Sequence, residues 1–190
     1  YIHIHSEEAF DQFIKSSQSN TNAIHGNADL NSLVCDNNID IIVSAISGFA
    51  GLEATAIAAR TGKTVLLANK ESIVTAGEII LSSASSTGTT IIPIDSEHNA
   101  IFQCLAGEKN TNDVSKIIIT ASGGPFLDKK FDELKNVTKE QALQHPNWSM
   151  GSKISIDSAT LVNKCLELIE AKYLFDLDEN FFELVIHPES

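Results

Sequence analysis

The sequence predicts an α/β fold: half of a doubly wound parallel sheet, followed by a second α/β region. Three observations predict it. Apolar runs rich in Ile, Val and Leu at 39–46, 64–68 and 90–94 alternate with helix-like segments at 52–60 and 73–84. Continuously apolar strands separated by helices imply a parallel sheet covered on both faces. Each run also ends in a polar or glycine-bearing cluster: Ala45-Ile46-Ser47-Gly48, Asn69-Lys70-Glu71 and Asp95-Ser96-Glu97. Ligands of such sheets gather at the carboxyl ends of the strands.

The elements follow in order. Tyr1-Ile2-His3-Ile4-His5 reads as a strand already in progress. After the run at 39–46, Gly48 and Gly51 form a Gly-x-x-Gly that serves either as a tight turn or as backbone a nucleotide can approach. Leu52 to Arg60 is alanine-rich, and Gly62 punctuates its end. Beyond Asp95, a helix is expected over Ala100–Ala106 and a strand over Lys116–Ala121, which delivers Ser122-Gly123-Gly124-Pro125. A hydroxyl beside two glycines is either an anion cradle, because glycine admits a ligand close to backbone N–H groups, or a turn. Thr111-Asn112-Asp113 and residues 128–138 read as loop or exposed helix, and Leu184 to His187 as a strand that stops at Pro188-Glu189-Ser190.

Composition narrows the function. The 190 residues are 43% hydrophobic, enough for a real core, and carry a formal charge of -12. That charge offers no footprint for nucleic acid or an anionic membrane, so an anionic ligand must be held by focused cations, with Lys70, Lys153 and Lys164 the candidates. No membrane span is expected. Cys35, Cys104 and Cys165 are odd in number and widely spaced among apolar residues, which suits a reducing compartment and small core positions.

Asp95 and Glu97, two residues apart at a strand end, point the same way. Like charges so close raise each other's pKa unless a cation or shared proton neutralises them, and a divalent metal is the simplest partner. Residues 158–175 read as one helix capped by Asp157 or Ser158, with Leu161, Val162, Cys165, Leu166, Leu168, Ile169 and Tyr173 on a buried apolar arc. Asn163, Glu167 and Glu170 occupy the other face, with Thr160 and Lys164 near its edge. That stripe fits either a phosphate and a metal or an ordinary solvated face. Between the halves, residues 144–153 hold the only Trp and the only Met, as a lid that excludes water or as a loop anchored in the core.

Ala68-Asn69-Lys70-Glu71-Ser72, the run from Pro93 to Gln103, Ser122-Gly123-Gly124-Pro125-Phe126 and His145 through Glu170 together closely resemble the 1-deoxy-D-xylulose 5-phosphate reductoisomerases, from about Ile39 onward. The resemblance implies a Rossmann-like NADPH-binding region over 1–94 and a catalytic region over 95–190. By resemblance, Asp95, Glu97 and Glu167 match the metal carboxylates for Mg2+ or Mn2+. Ser122, Ser158, Asn163 and Lys164 match residues around the substrate phosphate, and Lys70 and Ser96 groups near its hydroxyls, with Lys70 also counted as catalytic. Trp148 and Met150 match a flexible flap with His145 at its hinge, and Ala45, Ile46, Asn69, Lys70, Glu71, Met150 and Gly151 the approach to the nicotinamide cofactor.

The implied reaction is conversion of 1-deoxy-D-xylulose 5-phosphate to 2-C-methyl-D-erythritol 4-phosphate in the non-mevalonate isoprenoid pathway. A metal would chelate the ketone and hydroxyl oxygens and NADPH would supply hydride. Fosmidomycin-type phosphonate hydroxamates are the implied inhibitors, a homodimer the implied assembly, and the bacterial cytoplasm, or the plastid in a plant or alga, the implied location. Family members begin with a glycine-rich pyrophosphate loop and end with a helical domain, and neither is read here; the sequence is therefore expected to be part of a longer protein that alone binds NADPH poorly. Two other readings stay open: a non-catalytic metal or sugar-phosphate module, and a sugar-phosphate isomerase that uses no nicotinamide.

Overall fold

The structure, a computed structural model, describes residues 2–4, 6–16, 23–106, 113–146 and 148–187. The expectations for Tyr1, His5, Thr111, Asn112, Asn147 and the 188–190 end lie outside them. The chain divides into two compact units, Tyr1–Ser72 with Glu78–Ile92, and Ile73–Gly77 with Pro93–Ser190.

In the first unit, β1 (Ile2–His3) and β2 (Ala23–Ile24) form a short parallel pair, with α1 (Glu7–Ser16) between them in sequence. α2 (Asn27–Cys35) leads to β3 (Ile41–Ser44), a 3-10 turn at Gly48–Gly51 and α3 (Leu52–Ala58). β4 (Thr64–Leu67), α4 (Lys70–Thr87) and β5 (Thr90–Pro93) complete a three-stranded sheet in the order β3-β4-β5. β3 and β4 run parallel, Ile41 opposite Thr64 and Ser44 opposite Leu67. Val34, Ala58 and Val65 form the core with Leu30, Ile42, Ile57 and Ile91 packed against them. Ile41 and Val43, on the same face of β3, are exposed, while Ile42 and Ser44 on the other face are covered.

A buried polar network fixes the ends of β3 and β4. The Asn69 side chain caps α4 by accepting the Ser72 N–H at 2.8 Å, while its amide donates to the Ile46 carbonyl at 2.5 Å and the Gly48 carbonyl at 2.9 Å. Thr55 Oγ1 donates to Gly51 O at 2.7 Å and lies 2.6 Å from Ser44 Oγ. A Cβ on Gly51 would stand 2.5 Å from the Ile46 carbonyl oxygen, so the turn closes only around glycine there. Asn69→Ala should remove the cap, worth about 1 kcal/mol, and orphan two carbonyls, for about 1–3 kcal/mol more. Urea unfolding of the first unit's signal tests this; an unchanged midpoint would remove Asn69 from the scaffold.

The second unit starts on the β5 end with α5 (Ser96–Leu105), then β6 (Ile117–Ala121), a 3-10 turn at Phe131–Asn136 and α6 (Lys139–Ala142). α7 (Ser152–Ala159), α8 (Val162–Phe175), a second 3-10 turn and β7 (Phe182–Ile186) follow. β7 pairs parallel with β6 along five residues, Ile117 opposite Phe182 and Ala121 opposite Ile186. Ile101, Ile117, Ile119, Ala171 and Leu177 form this unit's core, with Leu168 and Phe175 of α8 packed on it. α4 is kinked at Ala76 (φ −142°), and the Tyr173 ring packs where a Gly77 Cβ would be, within 2.8 Å.

Three expectations are corrected. The helix read as one over 158–175 is two, because Leu161 takes a left-handed conformation (φ 60°) between α7 and α8. Asp157 and Ser158 therefore lie inside α7, and Gly151 occupies its N-cap position. The arc expected to be buried is largely outward: Leu161, Val162, Cys165, Ile169 and Tyr173 are exposed, while Lys164, Glu167 and Glu170 are buried. Charges go inward here because each is paired. All three cysteines are exposed rather than core residues.

Candidate functional site

Asp95 and Glu97 leave β5 not as a strand end but as the start of α5. Asp95 is the N-cap, accepting the His98 N–H at 3.4 Å, and Glu97 lies in the first turn, beginning that helix four residues earlier than the sequence pattern suggested. A helix N-terminus tolerates two carboxylates because its unpaired N–H groups carry partial positive charge. Ser96 Oγ donates to Glu97 Oε2 at 2.6 Å.

α8 brings the third carboxylate. Glu167 is fully buried, and one ligand atom each of Asp95, Glu97 and Glu167 lie within 4.8 Å of one another. Lys164, 7% exposed, bridges two of them: its ammonium bonds Glu97 Oε1 and lies 2.8 Å from Glu167 Oε2. Asn163 Nδ2 donates to Glu167 Oε1 at 2.6 Å. Burial pushes the Glu97 pKa up, but the Lys164 ammonium and the Ser96 hydroxyl outweigh it and hold the carboxyl below its ordinary value.

Behind this trio lies His98, fully buried and not singled out from the sequence. Its Nε2 stands 2.9 Å from the Glu167 carbonyl oxygen, which can only accept, so Nε2 carries a hydrogen. Its Nδ1 lies 2.8 Å from Asp95 Oδ2 and 3.2 Å from Glu170 Oε2. Burial alone would lower the His98 pKa, but the hydrogen bond to Asp95 and the charges of Glu170 and Asp95 reverse the sign and raise it. His98 thus ties α5 to α8. The signal was present as Asp-x-x-His from Asp95 and as Glu170 one turn beyond Glu167, but only the fold puts them together.

Beside the carboxylates is a small pocket lined by Ala121, Ser122, Gly123, Ser158, Leu161, Asn163 and Lys164. It forms because Gly124 (φ +70°) lets the end of β6 reach α7: a Cβ there would meet the Ser158 carbonyl oxygen at 2.7 Å. Ser122 Oγ lies 3.1 Å from His145 Nε2 and accepts the Gly124 N–H at 3.3 Å. The Trp148 N–H donates to His145 Nδ1 at 3.1 Å, so Nε2 holds the ring's hydrogen and donates to Ser122. The Ser122 hydroxyl hydrogen remains to donate into the pocket. Lys153, another candidate cation, is exposed and paired with Asp157 at 2.5 Å.

Trp148 is 62% exposed, so core anchoring of its loop is excluded. Met150 is half-buried and Gly151 exposed. Burial lowers the His145 pKa below its ordinary value. A depressed histidine contributes its neutral-form contacts above the folded pKa and loses them as pH falls through it. Acidification should therefore protonate Nδ1, break the Trp148 N–H bond and shift the emission of Trp148, the chain's sole Trp. The midpoint is expected below the ordinary histidine value, and His145→Gln should abolish the shift; a variant that keeps it would assign the change elsewhere.

The other candidates lie in the first unit. Ala45 and Ile46 are exposed beyond β3, Lys70 and Glu71 are half-buried at the start of α4, and Asn69 turns its side chain inward onto the Ile46 and Gly48 carbonyls. Gly48 (φ +72°) has open space where a Cβ would stand, whereas Gly51 does not.

Comparison with known proteins adds a second line of observation. The family model "1-deoxy-D-xylulose 5-phosphate reductoisomerase" matches residues 1–77, and the model for that family's C-terminal domain matches 91–175. The chain is 50% identical over 193 aligned residues to the 1-deoxy-D-xylulose 5-phosphate reductoisomerase of Clostridium tetani, covering 100% of this chain and 50% of that protein. It is 58% identical over 151 residues to the Geobacillus sp. protein of the same name, covering 80% of this chain and 39% of that one. Among solved structures, a DOX-P reductoisomerase in complex with NADPH, fosmidomycin and magnesium superposes with a TM-score of 0.90 at 45% identity, covering 97% of this chain and 48% of that one. The Zymomonas mobilis 1-deoxy-D-xylulose 5-phosphate reductoisomerase in complex with NADPH gives 0.87 at 46% identity, over 99% and 48%. The chain spans about half the length of the relatives it matches. Among the described residues, no helix is long and apolar enough to cross a membrane.

Proposed function

The chain belongs to the 1-deoxy-D-xylulose 5-phosphate reductoisomerase family, and from that premise we propose that it carries the metal and sugar-phosphate site of an enzyme converting 1-deoxy-D-xylulose 5-phosphate to 2-C-methyl-D-erythritol 4-phosphate with NADPH. The observation that carries this is the convergence of Asp95, Glu97 and Glu167, with the buried Lys164 ammonium held between Glu97 and Glu167. Three carboxylates are the hard oxygen donors Mg2+ or Mn2+ prefer, and the ammonium marks their need for positive charge. A bound metal would supply Lewis-acid stabilisation of negative charge on the substrate's oxygens.

The chain's own residues do the rest. Ser122, Ser158, Asn163 and Lys164 bind the phosphate, and Ser96 orients the hydroxyls. His145 and Trp148, with Met150, close over the bound sugar and exclude water, a role supported by the exposed Trp148 side chain and by its backbone bond to His145, which in turn meets Ser122. Residues 1–94 hold part of the cofactor, with Ala45, Ile46, Lys70 and Glu71 facing it and Asn69 acting through the carbonyls it holds. Residues 95–190 are the catalytic part. Fosmidomycin-type inhibitors would use both the phosphate and metal anchors. A homodimer rests on the family resemblance alone, and a cytoplasmic location on the bacterial relatives, with the plastid reserved for a plant or algal source.

The test is an NADPH-oxidation assay with 1-deoxy-D-xylulose 5-phosphate on the protein encoded by the complete reading frame. Turnover should require Mg2+ or Mn2+ and stop with EDTA. Metal and sugar-phosphate binding without NADPH oxidation would favour a binding module, and isomerisation without NADPH a nicotinamide-independent isomerase.

A further inference from the structure

Lys164 belongs to two places at once. Its ammonium is bound between Glu97 and Glu167, and its side chain also lines the pocket with Ser122, Ser158 and Asn163. We propose that Lys164 is an exchangeable counter-ion: it neutralises the carboxylates while they are metal-free, yields them to a divalent cation, and then serves as the cation of the adjoining pocket. Metal and a tetrahedral oxyanion would thereby bind cooperatively. The inference rests on the metal and sugar-phosphate reading given above and adds to it an order of events.

The argument is one of shared oxygens. An ammonium needs the same carboxylate lone pairs that a metal takes, at about 2.7–2.9 Å for the N–H bond against about 2.0–2.1 Å for Mg2+. Two cations so close repel, and the one with the greater charge and shorter bonds keeps the oxygens. Lys164 lies in the first turn of α8 on a flexible four-carbon stem, so it can turn without moving backbone. Facing two carboxylates, its charge is cancelled and the pocket has little attraction for an anion; released, the same charge joins the Ser122 hydroxyl and the Asn163 amide. Because both ligands act on one side chain, each must strengthen the other by the same factor.

Mn2+ alone, titrated into wild type and Lys164→Met and followed by the EPR signal of free Mn2+, tests this with and without inorganic phosphate. Without phosphate, Lys164→Met should bind Mn2+ about tenfold tighter than wild type; phosphate should tighten wild-type binding about tenfold and leave the variant within about twofold. Equal or weaker binding by the variant, or a phosphate effect that survives the substitution, overturns the exchange. A measurement on wild type guards against a variant that fails to fold. Reductive methylation of Lys164, mapped by peptide mass, should speed up with Mg2+ and slow again when phosphate is added; a rate indifferent to Mg2+ overturns the proposal. Absence of any Mn2+ binding by wild type would instead remove the metal reading itself, whereas failure of the exchange alone leaves metal- and NADPH-dependent turnover intact.

Discussion

Glu167→Gln should lower metal-dependent turnover about a thousandfold. Glu167 is fully buried, and both of its carboxylate oxygens are engaged, one by Asn163 at 2.6 Å and one by Lys164 at 2.8 Å. Gln keeps the shape and can still accept from Asn163, but its other atom becomes an NH2 facing the Lys164 ammonium. On the proposed reading a bound metal would lose one of three anionic ligands, and several kcal/mol of charge stabilisation would go with it, about 4 kcal/mol corresponding to the stated factor. Mn2+ binding and NADPH oxidation at saturating Mg2+ are the measurements. Unchanged turnover at saturating metal would take Glu167 out of the metal set.

The second large effect is on stability. His98→Gln should destabilise the second unit by about 3 kcal/mol, because it leaves the Asp95 and Glu170 carboxylates facing one another without the imidazole between them. Since the His98 pKa is raised, its contribution is fully present below the ordinary histidine value and is lost as pH rises through the raised one. Urea midpoints of the EDTA-treated wild type should therefore fall on the alkaline side of that value, while those of His98→Gln start lower and change less. Parallel pH profiles for the two proteins would show that His98 is not charged in the folded state.

The apolar runs at 39–46, 64–68 and 90–94 were legible because parallel strands are apolar along their whole length, with no polar face to blur the pattern even where Ile41 and Val43 are left exposed. The break at Leu161 was not, since the apolar spacing runs on through it and nothing in a leucine announces a positive φ. Asp95-Ser96-Glu97-His98 carried a readable helix start, an acidic N-cap followed by an acidic first turn, which the preceding apolar run disguised as a strand end. The inversion of α8 has a different origin. Periodicity locates a polar stripe but cannot tell which way it faces when its charges meet partners from another element; Lys164 meets Glu97 and Glu170 meets His98 across 60 or more residues of chain. For the same reason His98 escaped notice, its role existing only where α5 and α8 meet.

Leu161 bears on how this protein would change under selection. A leucine at φ 60° costs about 1–2 kcal/mol that glycine would not incur, and it borders the pocket with its side chain partly exposed. A population selected for heat resistance alone should accumulate Gly or Asn at 161, whereas one whose growth depends on what the pocket binds should hold on to the strained residue.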